Sequence, residues 1–399
     1  MSPAQLAIAP SLPATRTEFA ALLDRIHALG RDLIAPAAVE VDRDARFPIE
    51  AFAALKAEKL LSAYIPLEFG GMGLTIAQVA RVCEVLGQYC ASTAMIFAMH
   101  QIQVACIVHH GLGATFFRDY ARELVARQNL LASATTELGI GGDVRSSLCC
   151  AKVVDDHFIL EKQAPVISYG EMADAILVTC RRAEDAGRHD QVLVLVRKDD
   201  CLLRRLSEWD TLGFRGTCSP GFELKSIGRA EQIFPEAYAR IHARTQHPVA
   251  HLLWSSLWVG LAGDALNRAR SAVKAEARKS PGAIPISATR LAEADLVLGL
   301  MKCSVSATLE AYAGLLADPE SEPTLAFSIG VNNLKLTCSQ QVLEVVMKAM
   351  LICGIAGYRN DSKLTLGRHL RDATGAALMV NNDRILGQNA TMHVGLREA

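Results

Sequence analysis

Charge is scarce and balanced in this sequence. Only 21% of the 399 residues are charged and the formal net charge is −1, which excludes the basic stripe that nucleic acid or an anionic membrane requires. No stretch reaches the roughly 18 uninterrupted apolar residues of a membrane span. The first residues, rich in Ala, Pro and Ser, lack the basic segment and apolar run of a secretory signal. Internal repeats, low-complexity tracts and Cys-x-x-Cys pairs are missing too. The eleven cysteines are mostly single and set in apolar stretches, and the adjacent pair, Cys149 and Cys150, would point to opposite faces of a strand. That usage suits buried, reduced thiols and a cytoplasmic protein whose partner is of small-molecule size.

What is abundant is apolar side chain, 51% of the total, enough for one large core or a few fused ones. From residue 17 to about 127 the apolar positions recur at three and four, as in Phe19, Leu22, Leu23, Ile26 and Leu29, and predict helices. Between about 129 and 227 short β-branched runs (150–154, 158–160, 175–179, 192–196) predict a small antiparallel β domain. From Pro248 onward helical spacing returns over 252–276, 286–315, 325–351 and 370–386, enough for a bundle. The expected organisation is a helical domain over 1–128, a β domain over 129–240 and a helical bundle over 241–399.

Local groupings taken alone point to little. Gly139, Gly141 and Gly142 are followed by strand-like sequence rather than the helix that a dinucleotide phosphate loop must open. His242, His247 and His251 invite a metal, but Pro248 should start a helix between the last two and deny them a common face, so no metal is expected. His109-His110-Gly111 reads as the last turn of a helix. Arg371 and Asp372 could be a structural pair orienting the last helix or lie near a substrate.

Several motifs, taken in order, are more specific. Phe69-Gly70-Gly71-Met72-Gly73, Ala91-Ser92-Thr93-Ala94, Thr136-Glu137-Leu138-Gly139-Ile140-Gly141-Gly142-Asp143, Val166-Ile167-Ser168-Tyr169-Gly170 and Leu212-Gly213-Phe214-Arg215-Gly216-Thr217 are followed by Val259-Gly260-Leu261-Ala262, Arg278, Gly357-Tyr358 and Arg371-Asp372-Ala373. In order and spacing they resemble the acyl-CoA dehydrogenase family over nearly the whole chain. The resemblance implies a helical N-terminal domain, a middle β domain and a C-terminal helical bundle, with FAD between the last two. It implies that Thr136 and Gly141 meet the flavin, that Ser168 presents a donor near its N5, and that Arg278 reaches the pyrophosphate of a neighbouring subunit in a homodimer or homotetramer. Ser92 would border the acyl pocket, and a flavoprotein or other redox partner would take the electrons.

The resemblance also implies an α,β-dehydrogenation of an acyl thioester, CoA- or carrier-bound, which needs a desolvated base for the α-proton. The family's glutamate, seven positions after the alanine of Arg-Asp-Ala, corresponds to Val380, which would therefore touch substrate, and the second known location is Ala250. Neither carries a carboxylate. Asp383, one helical turn beyond Val380 if the segment is helical, is the first candidate base and His251 the second. The family's Phe of RxxFG is replaced by Pro281. A flavin-dependent monooxygenase on the same fold, or a degenerate structural member, are the alternatives.

Overall fold

The computed structural model describes residues 16–279 and 282–395. The N-terminal reading and the departure at Pro281 lie outside the described residues. Among these, six α-helices precede the first strand: α1 (Arg16–Leu29), α2 (Ala35–Arg43), α3 (Ile49–Ala57), α4 (Ile76–Tyr89), α5 (Ala91–His110) and α6 (Thr115–Arg127). Thr75 starts α4 with a reciprocal cap: its hydroxyl accepts from Gln78 N–H at 3.2 Å while the Gln78 amide oxygen accepts from Thr75 N–H at 2.9 Å. Cys90 alone, in extended conformation, separates α4 from α5. Helix α5 is apolar on nearly every side and nearly every residue is buried.

Seven strands follow in two sheets: β1 (Leu131–Ala134), β2 (Lys152–Val154), β3 (His157–Ala164), β4 (Ala175–Arg181), β5 (Gln191–Arg197), β6 (Cys201–Arg205) and β7 (Phe222–Arg229). One sheet has the order β2-β3-β7-β6 and is antiparallel. The other has the order β1-β4-β5, and there β1 pairs with β4 in parallel, a departure from the wholly antiparallel expectation. Strands β4 and β5 are buried on both faces, so their apolar runs carry no alternation that could reveal direction.

The C-terminal helices are α7 (Tyr238–Ile241), α8 (His247–Ala277), α9 (Ser287–Leu316), α10 (Leu325–Cys353), α11 (Ile355–Tyr358), α12 (Gly367–Gly375) and α13 (Asn382–Gly395). The single helix expected over 370–386 is broken between α12 and α13. Val380 there has φ 44°, and the Asn381 side chain accepts from Asp383 N–H at 2.8 Å, as an N-cap does. Val380 and Asp383 are therefore not one helical turn apart.

Helix α8 is the axis of the protein. A Cβ on Gly87 of α4 would be driven into the Leu257 carbonyl of α8, and one on Gly260 of α8 into the Glu84 carbonyl of α4. The two helices thus touch backbone to backbone, while α5 and α10 pack on other sides of α8. By length and composition α5, the run Tyr238–Ala277, α9 and α10 are each apolar enough to cross a membrane, although each contains polar interruptions. The first two spend that character on the core, with 89% and 83% of their apolar windows buried, whereas α9 buries 17%.

His100, fully buried on α5, ties the helices to the sheet. Leu131 N–H donates to its Nδ1 at 3.0 Å, so Nε2 carries the proton and donates to the Leu61 carbonyl at 2.7 Å. Burial pushes its pKa down from 6.5 to about 4. A group depressed on folding contributes stability that is present above its unfolded pKa and lost as pH falls through the folded one, here from 6.5 to about 4, a swing of about 3 kcal/mol. Thermal unfolding followed across that window should show a falling midpoint, with a shallower slope in His100→Gln; equal slopes would remove His100 as the cause.

Candidate active site

The segment after β1 turns on three glycines with positive φ, Gly139 (89°), Gly141 (59°) and Gly142 (76°). Its shape is held from below by Glu137, whose buried carboxylate accepts from Leu148 N–H at 3.1 Å and Cys149 N–H at 2.7 Å. Lys162, fully buried on β3, lies 3.6 Å from that carboxylate and donates to the Thr179 carbonyl at 2.6 Å. Sequence reading passed over Lys162, although it occupies the inward phase of a strand that alternates Phe158, Leu160, Lys162, Ala164. From above, the Arg384 guanidinium lies against Gly142 and donates to the Gly141 carbonyl. Burial raises the Cys149 thiol to about 12, so it is unreactive.

A second turn adjoins the glycine loop. Thr136 Oγ1 donates to the Val166 carbonyl at 3.1 Å, which brings Thr136 to the turn that carries Ser168. Ser219 donates to Ser168 Oγ at 2.9 Å and lies 2.8 Å from the Thr217 hydroxyl, which itself bonds to the Phe214 carbonyl. Phe214 N–H donates to the buried Asp372 carboxylate at 2.6 Å, and burial raises that carboxyl to about 6. Arg371 is paired with Asp42 and donates to the Leu212 carbonyl at 3.1 Å. Arg371 and Asp372 do not pair with each other as the structural reading had it: each has its own partner, and together they fasten the 212–217 turn to α12 and to the N-terminal helices. Ser92 is buried beside the same turn, close to Gly216.

The three histidines do share a face, contrary to expectation. Pro248 lies in the first turn of α8, as expected, but the helical path is continuous from Tyr238 to Ala277 through a π-turn over His242–Gln246. Proline lacks an N–H and crowds the carbonyl four residues back, and the wider turn relieves both. The π-turn sets His242 and His247 in register with rings 5.6 Å apart and 16° from parallel; one ordinary turn further, the His251 ring is 4.5 Å from that of His247. His247 Nε2 donates to Asn332 Oδ1 at 2.8 Å and His251 Nδ1 to the Val331 carbonyl at 3.2 Å, both on α10. Among the described residues, no three His, Cys, Asp or Glu side chains are grouped to hold a metal.

Beside this ladder, also on α10, lies Lys335. Its ammonium donates to the Val380 carbonyl at 2.9 Å and to Asn382 Oδ1 at 2.6 Å. Val380, at the position of the absent glutamate, is β-branched with φ 44°, a conformation costing on the order of 1–3 kcal/mol. Ala250 is buried, and Asp383 is exposed on the first turn of α13. Arg278 is exposed at the far end of α8, about 40 Å along the helix from His251. The structure thus ties Thr136 to the turn of Ser168 through the Val166 carbonyl, ties Gly141 to the segment after Val380 through Arg384, sets His251 against α10, and puts Arg278 at the other end of α8. One open cavity is lined by Gly170 and Glu171, shortly after Ser168, together with residues of β4, β5 and β6, and another by residues around Gln232.

Residues 16–114 match the family model described as acyl-CoA dehydrogenase, N-terminal domain. A Mycobacterium tuberculosis protein named "Probable acyl-CoA dehydrogenase FadE25" is 28% identical over 359 residues, 87% of this chain and 88% of the relative. The chain is a homologue of the acyl-CoA dehydrogenases. Butyryl-CoA dehydrogenase from Megasphaera elsdenii superposes with a TM-score of 0.81 at 20% identity, over 96% of this chain and 100% of that one. Dibenzothiophene monooxygenase TdsC from Paenibacillus sp. A11-2 reaches 0.79 at 17% identity, over 95% and 98%. These two likenesses are of fold alone, and a fold can host several chemistries.

In this acyl-CoA dehydrogenase homologue the glycine loop depends on a buried ion pair. Lys162→Met leaves the Glu137 carboxylate buried without its cation and should cost about 3–5 kcal/mol in denaturant unfolding. Adding Glu137→Gln should recover part of that loss, and a single variant as stable as the parent would remove the pair from this role.

Proposed function

We propose that this chain is an FAD-dependent oxidoreductase that desaturates an acyl thioester, CoA- or carrier-bound. The observation that carries this reading is the rim of Thr136, the glycine loop and Ser168. A Cβ on Gly141 would meet nothing within 4 Å, so the loop offers bare backbone to an approaching group. Ser168 accepts from Ser219 and keeps its own proton to donate, while Thr136 spends its proton on Val166 and offers a lone pair. A donor and an acceptor on adjoining turns fit the mixed edge of a flavin ring, which when bound would supply the hydride acceptor.

The α-proton falls to the chain's own residues. Burial is the first reason to favour His251 over Asp383, because a base must be shielded from water. Its Nδ1–H is committed to Val331, which leaves the Nε2 lone pair for a substrate. Burial holds its pKa well below 6.5, so the ring is neutral, though weakly basic, and the thioester carbonyl must be strongly polarised for transfer. A flavoprotein or other redox partner would take the electrons onward. The setting we propose is the cytoplasm, where eleven free cysteines stay reduced.

A second reading, a flavin-dependent monooxygenase, is favoured by one observation: Val380 stands where the carboxylate base would be. Anaerobic addition of acyl-CoAs of varied chain length to the flavin-loaded protein distinguishes the two. Bleaching of the flavin absorbance by one of them is expected. His251→Gln should slow it by about 10²- to 10⁴-fold and Asp383→Asn by less than about threefold. The reverse pattern would return the base to Asp383, and no bleaching by any acyl-CoA would favour the oxygen-using reading.

We also propose a homo-oligomer, in which a second copy covers the exposed apolar side of α9 and α10. Leu296 (65% exposed) and Leu351 (60%) belong to it, and Ile355 and Tyr358 extend it. Sedimentation should give a dimer or tetramer, and Leu351→Arg should shift it to smaller species. A monomeric parent would remove the proposal.

A further inference from the structure

Lys335 is fully buried on α10, yet its polar contacts are a backbone carbonyl and an amide oxygen rather than a carboxylate. A buried ammonium without an anion is costly, and burial pushes this one down to about 8. Both acceptors lie where the break between α12 and α13 gives way to α13. Asn382 closes the arrangement by donating from Nδ2 to Ser339 Oγ at 3.1 Å, one helical turn along α10 from Lys335. The residue whose carbonyl Lys335 grips is Val380, the β-branched residue in the left-handed region. The same turn leads into Arg384, whose guanidinium pins the Gly141 carbonyl. One buried amine therefore holds the strained turn, and through Arg384 the turn holds the glycine loop.

We propose that Lys335 is a positioning residue: it clamps the Val380–Asn382 turn in its left-handed form and so, through Arg384, fixes the glycine loop. Its bearing on catalysis rests on the function proposed above, but the clamp itself does not. Without Lys335 the turn loses two of its anchors, and Val380 relaxes toward the extended region that β-branched residues favour. Glycine at 380 accepts the left-handed conformation without cost from a Cβ and makes the clamp dispensable.

Hydrogen–deuterium exchange on the full-length flavin-loaded protein tests this without reference to any substrate. Lys335→Met should speed exchange of the amides of residues 377–385 at least about tenfold while leaving α8 unchanged. Adding Val380→Gly should bring that exchange back to within about threefold of the parent, and should restore substrate-driven flavin reduction in the same proportion. A lysine that served only to fill the core, or that acted as a chemical base, would gain nothing from glycine at 380. Should Lys335→Met not fold, Asn382→Ala removes the outer half of the clamp and should give an intermediate rise in exchange. Unchanged exchange in either variant, or no recovery in the double variant, would overturn the proposal. A failure of every acyl thioester to bleach the flavin would leave the exchange result standing.

Discussion

The contact on which the rest of the structure depends is the crossing of α4 and α8 at Gly87 and Gly260. Each glycine admits the backbone of the other helix, with a carbonyl oxygen where a side chain would be. Packing this close leaves α8 little freedom to slide or roll, since any side chain at the crossing would force the helices apart. Every other part of the site inherits that placement. The N-terminal half of α8 presents His247 and His251 to α10, and the hydrogen bonds to Asn332 and Val331 set the facing helix in register. Lys335, one turn further on α10, then meets the turn before α13.

The middle sheets share a continuous apolar core with this frame, and polar links add direction to it. His100 bridges α5 to β1 through a fixed neutral tautomer. Asp372 receives the Phe214 amide, and Arg371 reaches Asp42, so one dipeptide fastens the 212–217 turn to both helical parts. Such links are directional, and each is buried enough that leaving one partner unmet is costly. They fix the orientation of the rim bearing Thr136 and Ser168 relative to α8, which apolar packing alone specifies loosely. Strain gathers at the same places: Tyr169, Phe214, Cys218 and Val380 all have positive φ, and all lie in turns that border the site.

Much of this was legible in the residues. The helical, β, helical order follows from the change of apolar period, and motif order singles out Thr136, Gly141 and Ser168, of which Thr136 bonds to the turn that carries Ser168. The parallel pairing of β1 and β4 was not legible, because strands buried on both faces carry no alternation. Nor was the break at 376–381, where apolar spacing alone suggested one helix. The histidine ladder was not legible, because Pro248 does mark the first turn of α8 but a π-turn carries the helical path across it from His242. Lys162 and Lys335 could have been suspected from their places on apolar faces, but their partners come from distant segments: Glu137 for the first, Val380 and Asn382 for the second.

The sequence by itself determined the succession of helical and β parts and the absence of a carboxylate at both positions where the family resemblance led one to look, because these depend on local periodicity and residue identity. Only the tertiary structure decided which polar groups are buried, which tautomers the histidines hold and how the turn at Val380 is kept in place. Those properties depend on desolvation and on hydrogen-bond partners from segments tens of residues apart, and no local pattern encodes them.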